Sequence, residues 1–346
     1  MDLNERKLQI LQAIIADFIS TGEPVGSRTL SKNPDIEVSA ATIRNEMADL
    51  EEMGYLTHPH TSAGRVPSDK AYRLYVDELM DTSDLPDDRK EAIREKLSET
   101  RTELDTTIEH AAELLSEMTN LTSFAITPQV NENKLKYIQF LPVDERTVVL
   151  MLVSEKGKVL NKAIRLSVPY TEENLDLMSK VMTHNYMGKT ISSIMATDII
   201  KDFTADMSSL ANLAKDVAPS FMKTLQKMLD VDLYMNGYTN VFDLPEYRED
   251  PVRSRNFLQL LEDKNHLKDV IVNREEGLVI TIGDENSEDM QDVALITADY
   301  KVNGKLVGKL GVIGPKRMKY NEISSVIKYI SENISETFEI KGETDD

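Results

Sequence analysis

Apolar residues near the start of the chain recur every three or four positions, which is the spacing of an amphipathic helix. The pattern predicts a first helix over residues 4–21, which Gly22 ends. After a turn at residues 23–26, Ser27 is placed to cap a short second helix that runs to Lys32. The apolar face of the first helix consists of Leu8, Leu11, Ile14, Ile15, Phe18 and Ile19.

A third helix is predicted from its cap at Ser39 to Met53, with Gly54 as its stop. Its buried stripe consists of Ile43, Met47 and Leu50. The other residues near its amino end are small or can form hydrogen bonds, as in a recognition helix that contacts base edges. An ordinary solvent-exposed face would have the same composition. These residues are Ala40, Ala41, Thr42, Arg44, Asn45 and Ala48.

A strand, a polar loop and a return strand follow the third helix. Residues 55–57 have the composition of a strand, residues 58–65 form the loop, and Val66-Pro67 begins the return. Three helices followed by such a ribbon are the order of a winged helix, which places its third helix in the major groove of DNA and the ribbon beside it. Arg65 in the loop is therefore predicted to reach a phosphate or the minor groove.

Helix and strand patterns alternate through the rest of the chain. Ser68 begins another helix, residues 81–88 have the acidic composition of a linker, and a long amphipathic helix is predicted over residues 88–120. Asn303-Gly304 predicts a tight hairpin, and residues 322–338 form a final helix. Strands are predicted at residues 123–127, 136–141, 147–153, 159–166, 270–272, 278–282, 293–298, 300–302 and 305–310.

A helical segment at residues 171–237 separates the two groups of strands and contains half of the 16 methionines. We interpret it as an insertion into a β-rich domain. Methionine fills irregular cores and adaptable contact surfaces alike. Most of these residues are therefore expected in an ordinary core, while the segment as a whole suits an interface. If that interface packs adaptably, moderate warming is expected to loosen it.

These patterns predict an α+β protein with several domains. A winged helix-turn-helix domain occupies residues 1–80, and a linker with a long helix occupies residues 81–122. A β-rich α+β domain is built from two segments, residues 123–168 and 241–340. The α-rich insertion covers residues 169–240.

The net charge of −20 argues against a protein that coats nucleic acid without selectivity. The first 75 residues hold 8 Lys/Arg and 11 Asp/Glu, a balance of −3, and the remaining residues hold 32 and 49, a balance of −17. Most of the acidity thus lies outside the predicted DNA-binding segment. An acidic body repels DNA of any sequence, so affinity must come from a few well-placed contacts, which favours a sequence-selective binder.

The sequence contains no pattern that specifies a catalytic or metal site. Walker, GxSxG and HExxH motifs are absent. His58 and His60 have the spacing of a two-histidine metal clip, but their loop lacks a carboxylate or thiol ligand, so we interpret them as exposed polar residues. We therefore expect no cofactor and no enzyme activity.

Cysteine usage and the amino end bear on localisation. The lack of cysteine excludes disulfides, thiolate metal sites and a cysteine nucleophile. The amino end lacks the apolar core of a signal peptide, and no apolar run has the length of a membrane span. The expectation is a bacterial cytoplasmic protein without a membrane partner.

Three stretches of the chain contain a specific combination of motifs. They read ILQAIIADFISTGEPVGSRTLSK, VSAATIRNEMADLEEMGYLTHPHTSAGRVPSDKAYRLYVD and GPKRMKYNEISSVIKYISENI. Together they resemble the HrcA family of bacterial heat-inducible transcription repressors, and the likeness extends more weakly through the methionine-rich segment. Ala71 stands where the family usually has glycine and Leu74 where it often has an aromatic residue, and neither is a predicted DNA contact.

The resemblance implies an amino-terminal winged helix, a GAF-like domain and an inserted dimerisation domain. It implies a repressor that binds double-stranded DNA as a homodimer, at an inverted-repeat operator upstream of chaperone genes, and that heat stress relieves. It also implies the chaperonin GroEL as a partner that keeps the repressor active, and a place on the nucleoid when the operator is bound.

The predicted DNA contacts form three sets. Base edges are expected to be read by Thr42, Arg44 and Asn45. A phosphate at the amino end of the third helix is expected to lie against Ser39 and Ala41. Wing contacts are expected from His60, Thr61, Ser62 and Arg65.

Two other functions fit part of the pattern. A winged-helix regulator could respond to a small-molecule effector through its GAF-like domain, and a specific effector would raise the melting temperature. The sequence contains no obvious cluster of polar residues that would line such a pocket. A helical protein-interaction module without a DNA target would leave the capped third helix and the basic loop unexplained.

Overall fold

The computed structural model describes residues 3–34, 36, 38–59, 64–80, 84–98, 104–127, 133–155, 157–197, 211–302 and 305–342. The chain divides into two compact units. The first unit comprises Met1–Thr127 and Asp232–Asp346, and the second comprises Pro128–Val231. The second unit is therefore inserted into the first.

The helices and strands are numbered in chain order. The described helices are α1 (Glu5–Thr21), α2 (Ser27–Leu30), α3 (Ala40–Glu52), α4 (Asp69–Leu74), α5 (Asp87–Ser98), α6 (Leu104–Thr119), α7 (Glu172–Tyr186), α8 (Ile191–Met195), α9 (Ala211–Leu229), α10 (Pro245–Arg248), α11 (Pro251–Glu262), α12 (Lys264–Val272) and α13 (Tyr320–Gly342). The described strands are β1 (Leu56–Thr57), β2 (Val66–Pro67), β3 (Thr122–Ile126), β4 (Leu135–Asp144), β5 (Thr147–Ser154), β6 (Val159–Arg165), β7 (Leu233–Asn236), β8 (Val279–Ile282), β9 (Val293–Val302) and β10 (Lys305–Pro315).

Residues 3–80 form an amino-terminal module of three helices, a short β-ribbon and α4. The Asn4 side chain caps α1, and Gly22 ends it in the left-handed conformation, as its predicted stop requires. The strands β1 and β2 pair antiparallel, and Val25 forms a further antiparallel bridge to Arg65. The connection between α1 and α2 thus lies against the ribbon.

The predicted cap of the second helix is wrong. Ser27 is the first residue of α2, the cap position is taken by Gly26 without a side-chain hydrogen bond, and the helix ends at Leu30. A single helical turn has too few residues for the apolar spacing to fix its ends, so the boundary prediction relied on residue type alone.

A five-stranded antiparallel sheet forms the centre of the first unit. Its strand order is β7-β3-β10-β9-β8. Helix α6 contacts β3 and β7, helix α13 contacts β9, and the two helices contact each other. A single hydrophobic core runs from α1 and α3 through these helices to the sheet, so the amino-terminal module is continuous with the sheet domain.

The second unit is a three-stranded antiparallel sheet with helices on one face. The strand order is β4-β5-β6. Val148, Leu150 and Leu152 of β5 are completely buried with α7, α8 and α9, whereas the alternate residues of β5 are only half-buried. One face of this sheet is therefore covered by helices, and the described elements of this unit leave the other face open.

Most predicted elements are confirmed, with one wrong strand. Residues 270–272 belong to helix α12, which Asp263 caps and which buries Leu267 and Ile271. A run of three apolar β-branched residues fits a strand or the end of a helix equally well. Two helices, α5 and α6, are described within the predicted long helix 88–120. Strands β9 and β10 pair as the hairpin prediction requires, although Asn303 and Gly304 lie outside the described residues.

The predicted domain limits also need correction. The sequence placed residues 123–168 with residues 241–340 in one β-rich domain and residues 169–240 in an insertion. Of the strands in the first segment only β3 joins the five-stranded sheet, while the described strands β4, β5 and β6 pair with one another inside the second unit. Strand β7 returns to the larger sheet. Alternating apolar residues identify the buried face of a strand but not its neighbour, which explains the error.

The methionines of the inserted segment are divided between core and surface. Met178 and Met182 are completely buried and Met228 is nearly so, as expected for an ordinary core. Met187 is exposed. Met207 lies outside the described residues.

Candidate nucleic-acid interface

Helix α3 presents a free face beside its capped amino end. Ile43, Met47 and Leu50 pack into the core of the amino-terminal module. The opposite face consists of exposed residues one turn apart, namely Ala41, Arg44, Asn45 and Ala48. The sequence predicted both faces, because the helical period separates them cleanly.

Arg44 and Asn45 are exposed, and neither side chain forms a hydrogen bond or ion pair with another residue in the described part of the chain. A guanidinium with a free fork can pair with the O6 and N7 edge of guanine, and a free amide can pair with the N6 and N7 edge of adenine. The two side chains are thus available for bidentate contacts with an external ligand.

Ser39 and Thr42 are engaged with each other. The Ser39 Oγ accepts a hydrogen bond from the Thr42 backbone N–H at 3.2 Å, and the two hydroxyl oxygens lie 2.9 Å apart. The Thr42 hydroxyl is therefore held locally, unlike the side chains of Arg44 and Asn45. Ala41 is exposed in the first turn, where a small side chain leaves the backbone N–H groups accessible.

A buried lysine fixes α3 against α1. Lys7 is 8% exposed, and its Nζ lies 2.6 Å from Glu46 Oε2 and 2.9 Å from Asp49 Oδ2. These hydrogen bonds, with Glu46 first, raise the pKa of Lys7. This contact was not predicted from the sequence. Its signal was present, because Lys7 lies one turn before Ile10 and Leu11 on the buried face of α1.

Arg65 lies at the base of the β1–β2 ribbon. Its Nε donates to Glu51 Oε2 at 2.8 Å, and its second guanidinium nitrogen lies 2.6 Å from His58 Nδ1. The other three predicted wing contacts, His60, Thr61 and Ser62, lie outside the described residues. The described residues contain no group of acidic, histidine or cysteine side chains that could hold a metal ion.

Two further cations flank this surface. Arg28 in α2 and Lys32 just after it are exposed, and α2 packs directly on α3. They were not predicted from the sequence, because an isolated surface cation has no pattern that sets it apart. Their location next to α3 is what makes them relevant to a phosphate backbone.

The described helices were compared with the requirements of a membrane span. Within the described ranges, none of them joins the length to the apolar character that crossing a bilayer requires.

The chain is similar to known proteins over nearly its full length. The family model "HrcA protein C terminal domain" matches residues 105–323. The heat-inducible transcription repressor HrcA of Alkaliphilus metalliredigens (strain QYMF) is 38% identical over 344 residues, which are 99% of each chain. The repressor of the same name from Clostridioides difficile (strain 630) is 39% identical over 336 residues, which are 96% of this chain and 98% of that one.

The fold also has a counterpart among solved structures. A crystal structure of a hypothetical protein at 2.2 Å resolution superposes with a TM-score of 0.61 and 22% identity, and the match covers 98% of this chain and 99% of the other. That likeness concerns the fold alone. The sequence matches to the two repressors and to the family model go further: this chain belongs to the HrcA family of heat-inducible transcription repressors.

Proposed function

We propose that this protein is a sequence-specific DNA-binding repressor of heat-shock chaperone operons, which binds an inverted-repeat operator as a homodimer. The single observation that supports it best is the exposed face of α3, where the side chains of Arg44 and Asn45 have no partner among the described residues. Family membership supplies the biological context. As a member of a family of repressors, the protein is proposed to act without a catalytic step.

The amino-terminal module is proposed to act as a winged helix. Helix α3 would be the recognition helix, and the β1–β2 ribbon would be the wing. Thr42, Arg44 and Asn45 are proposed to face base edges, with the Thr42 hydroxyl restrained by Ser39. Ser39 and Ala41, at the amino end of α3, are proposed to lie against a phosphate. The contacts of the wing with DNA are proposed to come from His60, Thr61 and Ser62.

The five-stranded sheet with its helices is proposed to be the GAF-like domain of the family. The second unit is proposed to be the inserted dimerisation domain. An inverted repeat requires a two-fold dimer, because its half-sites face the protein in opposite orientations. The open face of the β4-β5-β6 sheet offers the apolar surface that an isologous contact needs.

The register of that sheet supports this choice of surface. Tyr137, Leu141 and Val159 are exposed, and the strand pairing places them beside the half-buried β5 residues on the same face. Those β5 residues are Val149, Met151 and Val153. Apolar side chains across three strands are unusual on a solvent-facing sheet, so we propose that a second copy of the chain covers them.

Heat is proposed to relieve repression in one of two ways. In the first, the chaperonin GroEL is the partner that keeps the protein active, as the family resemblance implies; in the second, warming loosens the dimer directly. Light scattering across the heat-shock range separates the two proposals. A dimer that stays intact while DNA is lost would contradict direct loosening.

The test of the main proposal is fluorescence anisotropy with a labelled inverted repeat from upstream of the chaperone genes, beside a scrambled duplex of equal length. Selective binding that weakens with salt is expected. Binding releases counterions from the DNA, and this release favours binding less as the salt concentration rises. Equal, weak binding to both duplexes, with and without added GroEL, would contradict the proposal.

A further inference from the structure

Arg65 is fixed in place by its own backbone. Its N–H and C=O each form a 2.9 Å hydrogen bond with Val25, between α1 and α2. The residue before it approaches Pro24 so closely that a Cβ on Gly64 would lie 2.6 Å from the Pro24 carbonyl carbon and oxygen. Only glycine fits there, so Arg65 starts from a position that the α1–α2 connection determines.

The Arg65 side chain turns from this position towards α3. Its Nε donates to Glu51 Oε2 in the last turn of α3 at 2.8 Å. Its other bonded nitrogen lies 2.6 Å from His58 Nδ1, which belongs to the opposite arm of the ribbon. An arginine nitrogen can only donate, so His58 Nδ1 accepts and the ring proton lies on Nε2. One guanidinium thus connects both arms of the ribbon with α3.

The charge of Arg65 is already matched. The side chains of Arg65 and Glu51 are 23% and 32% exposed, so the pair is partly shielded from water. A phosphate that approached Arg65 would meet the Glu51 carboxylate beside it, and repulsion would offset much of the attraction. Arg44 has no such neighbour among the described residues and remains free to bind.

We propose that Arg65 is a positioning residue, which sets the angle of the β1–β2 ribbon against α3, and that it does not itself contact DNA. This inference rests on the proposed function, since it takes α3 and the ribbon as the two parts that enter neighbouring grooves. Selectivity for the operator then depends on the Glu51–Arg65–His58 link, because both parts must fit at once.

The experiment compares Arg65→Ala, Glu51→Gln and the double variant with the unmodified full chain. Anisotropy titrations are made on the operator and on the scrambled duplex, each over a range of salt. They give a discrimination ratio, which is the affinity for the operator divided by that for the scrambled duplex, and a salt slope, which is the change of log affinity with log salt concentration. Glu52→Gln is the matched control, because Glu52 is the neighbouring acid, is exposed and has no partner among the described residues. General electrostatic effects of losing a negative charge cancel in the ratio.

The positioning role predicts that the ratio falls about tenfold for each single variant. The double variant should fall no further, because both substitutions act on the same link: glutamine at position 51 keeps a hydrogen-bond acceptor but lacks the charge that holds the guanidinium. The salt slope of Arg65→Ala should equal that of the unmodified chain. If circular dichroism shows that Arg65→Ala does not fold, Glu51→Gln alone tests the positioning role, because glutamine keeps the size of the side chain.

A direct DNA contact predicts the opposite results. Arg65→Ala would lower the salt slope by about 0.9 for one lost phosphate, and Glu51→Gln would leave the ratio unchanged. Either result overturns the inference. If the unmodified chain discriminates but all variants behave like Glu52→Gln, only the positioning role fails. If the unmodified chain does not discriminate at all, the proposed function fails and the inference fails with it.

Discussion

Asp69 of α4 forms an ion pair with Lys316 just after β10, with 2.7 Å between Oδ1 and Nζ. Its other carboxylate oxygen accepts a hydrogen bond from the Asp284 backbone N–H at 3.1 Å. Gly283 makes this approach possible, because a Cβ at that position would overlap the Asp69 carboxylate. The amino-terminal module is therefore joined to the sheet domain through specific polar contacts as well as a shared core.

Two more arginines strengthen this junction. Arg73 of α4 pairs with Glu285 and donates to the Ile280 carbonyl at 2.7 Å. Arg317 pairs with Glu246 and donates to the Ile19 carbonyl at the end of α1. A module held in this way cannot turn freely on the sheet domain, so these contacts set its orientation within the first unit.

The first prediction concerns the stability of this junction. Asp69→Ala removes the ion pair and leaves the Asp284 N–H and the Lys316 ammonium without their acceptor. We expect a loss of about 2 kcal/mol in the free energy of unfolding, as for hydrogen bonds to charged groups. Urea unfolding followed by circular dichroism measures it. Glu78→Ala is the control, since Glu78 is exposed and has no partner among the described residues, and an equal loss there would contradict the assignment.

A second prediction concerns the pH dependence of Lys7. Hydrogen bonds to Glu46 and then Asp49 raise its pKa above the ordinary value of 10.5. The folded chain therefore holds this proton more tightly than the unfolded chain. The resulting stabilisation is fully present below pH 10.5 and is lost as the pH rises through the raised value.

Lys7→Met tests this sign, because methionine keeps the unbranched lysine side chain as far as Cε and removes only the charged end. The variant should be less stable than the unmodified chain at neutral pH, and the difference should shrink in alkaline solution. Urea midpoints at neutral pH and at several values above 10.5 would measure it. Lys32→Met, an exposed lysine of the same module, should give no such convergence. A difference that does not depend on pH would mean that Lys7 acts through packing alone.

The two faces of α3 could be predicted from the sequence because every signal was local. The Ser39 cap, the helical period and the Gly54 stop lie within one short segment, and the structure confirms each. The link between Arg65 and Glu51 could not be predicted, because it depends on how the ribbon folds back onto α3. A charged residue in a loop does not reveal, from the sequence alone, whether its side chain pairs within the protein or faces solvent. Arg44, which has no partner among the described residues, and the engaged Arg65 therefore could not be told apart in this respect from the sequence.

The sheet assignments failed for a related reason. The strands β3 and β4 are close in the chain, and nothing in either sequence indicates which strand will be its neighbour. The pairing of β3 with β7 joins residues more than a hundred positions apart, from Ser123 to Asn236. Such long-range pairing leaves no mark on either strand alone, so the inserted unit could be recognised as an insertion but not delimited.

A third prediction tests base reading by α3. Arg44→Ala should cost roughly 1–3 kcal/mol per half-site on the operator if the guanidinium binds a guanine in bidentate fashion. The measurement is anisotropy on the operator and on scrambled DNA. Arg255→Ala, an exposed arginine of α11, gives the same change of charge away from the module and should leave both affinities nearly unchanged. Equal loss on both duplexes would show that Arg44 binds only phosphate.

The last prediction concerns the open face of the second-unit sheet. Val149 pairs with Leu141 on one side and Ala163 on the other, so it lies in the middle strand of that face. Val149→Asp would place a charge at the centre of the proposed dimer contact, where removing it from water is costly. We expect the variant to be monomeric in sedimentation experiments at concentrations where the unmodified chain is a dimer.

The control is Gln226→Asp, which adds the same charge on the exposed side of α9 in the same unit. It should remain dimeric and bind the operator normally. The Val149→Asp monomer should still fold, because the covered face with Leu150 and Leu152 is unchanged. Its affinity for a single half-site should match that of the unmodified chain, while its affinity for the full inverted repeat should fall, because the two half-sites would no longer be bound together. A Val149→Asp variant that stays dimeric would instead direct attention to a different surface of the chain.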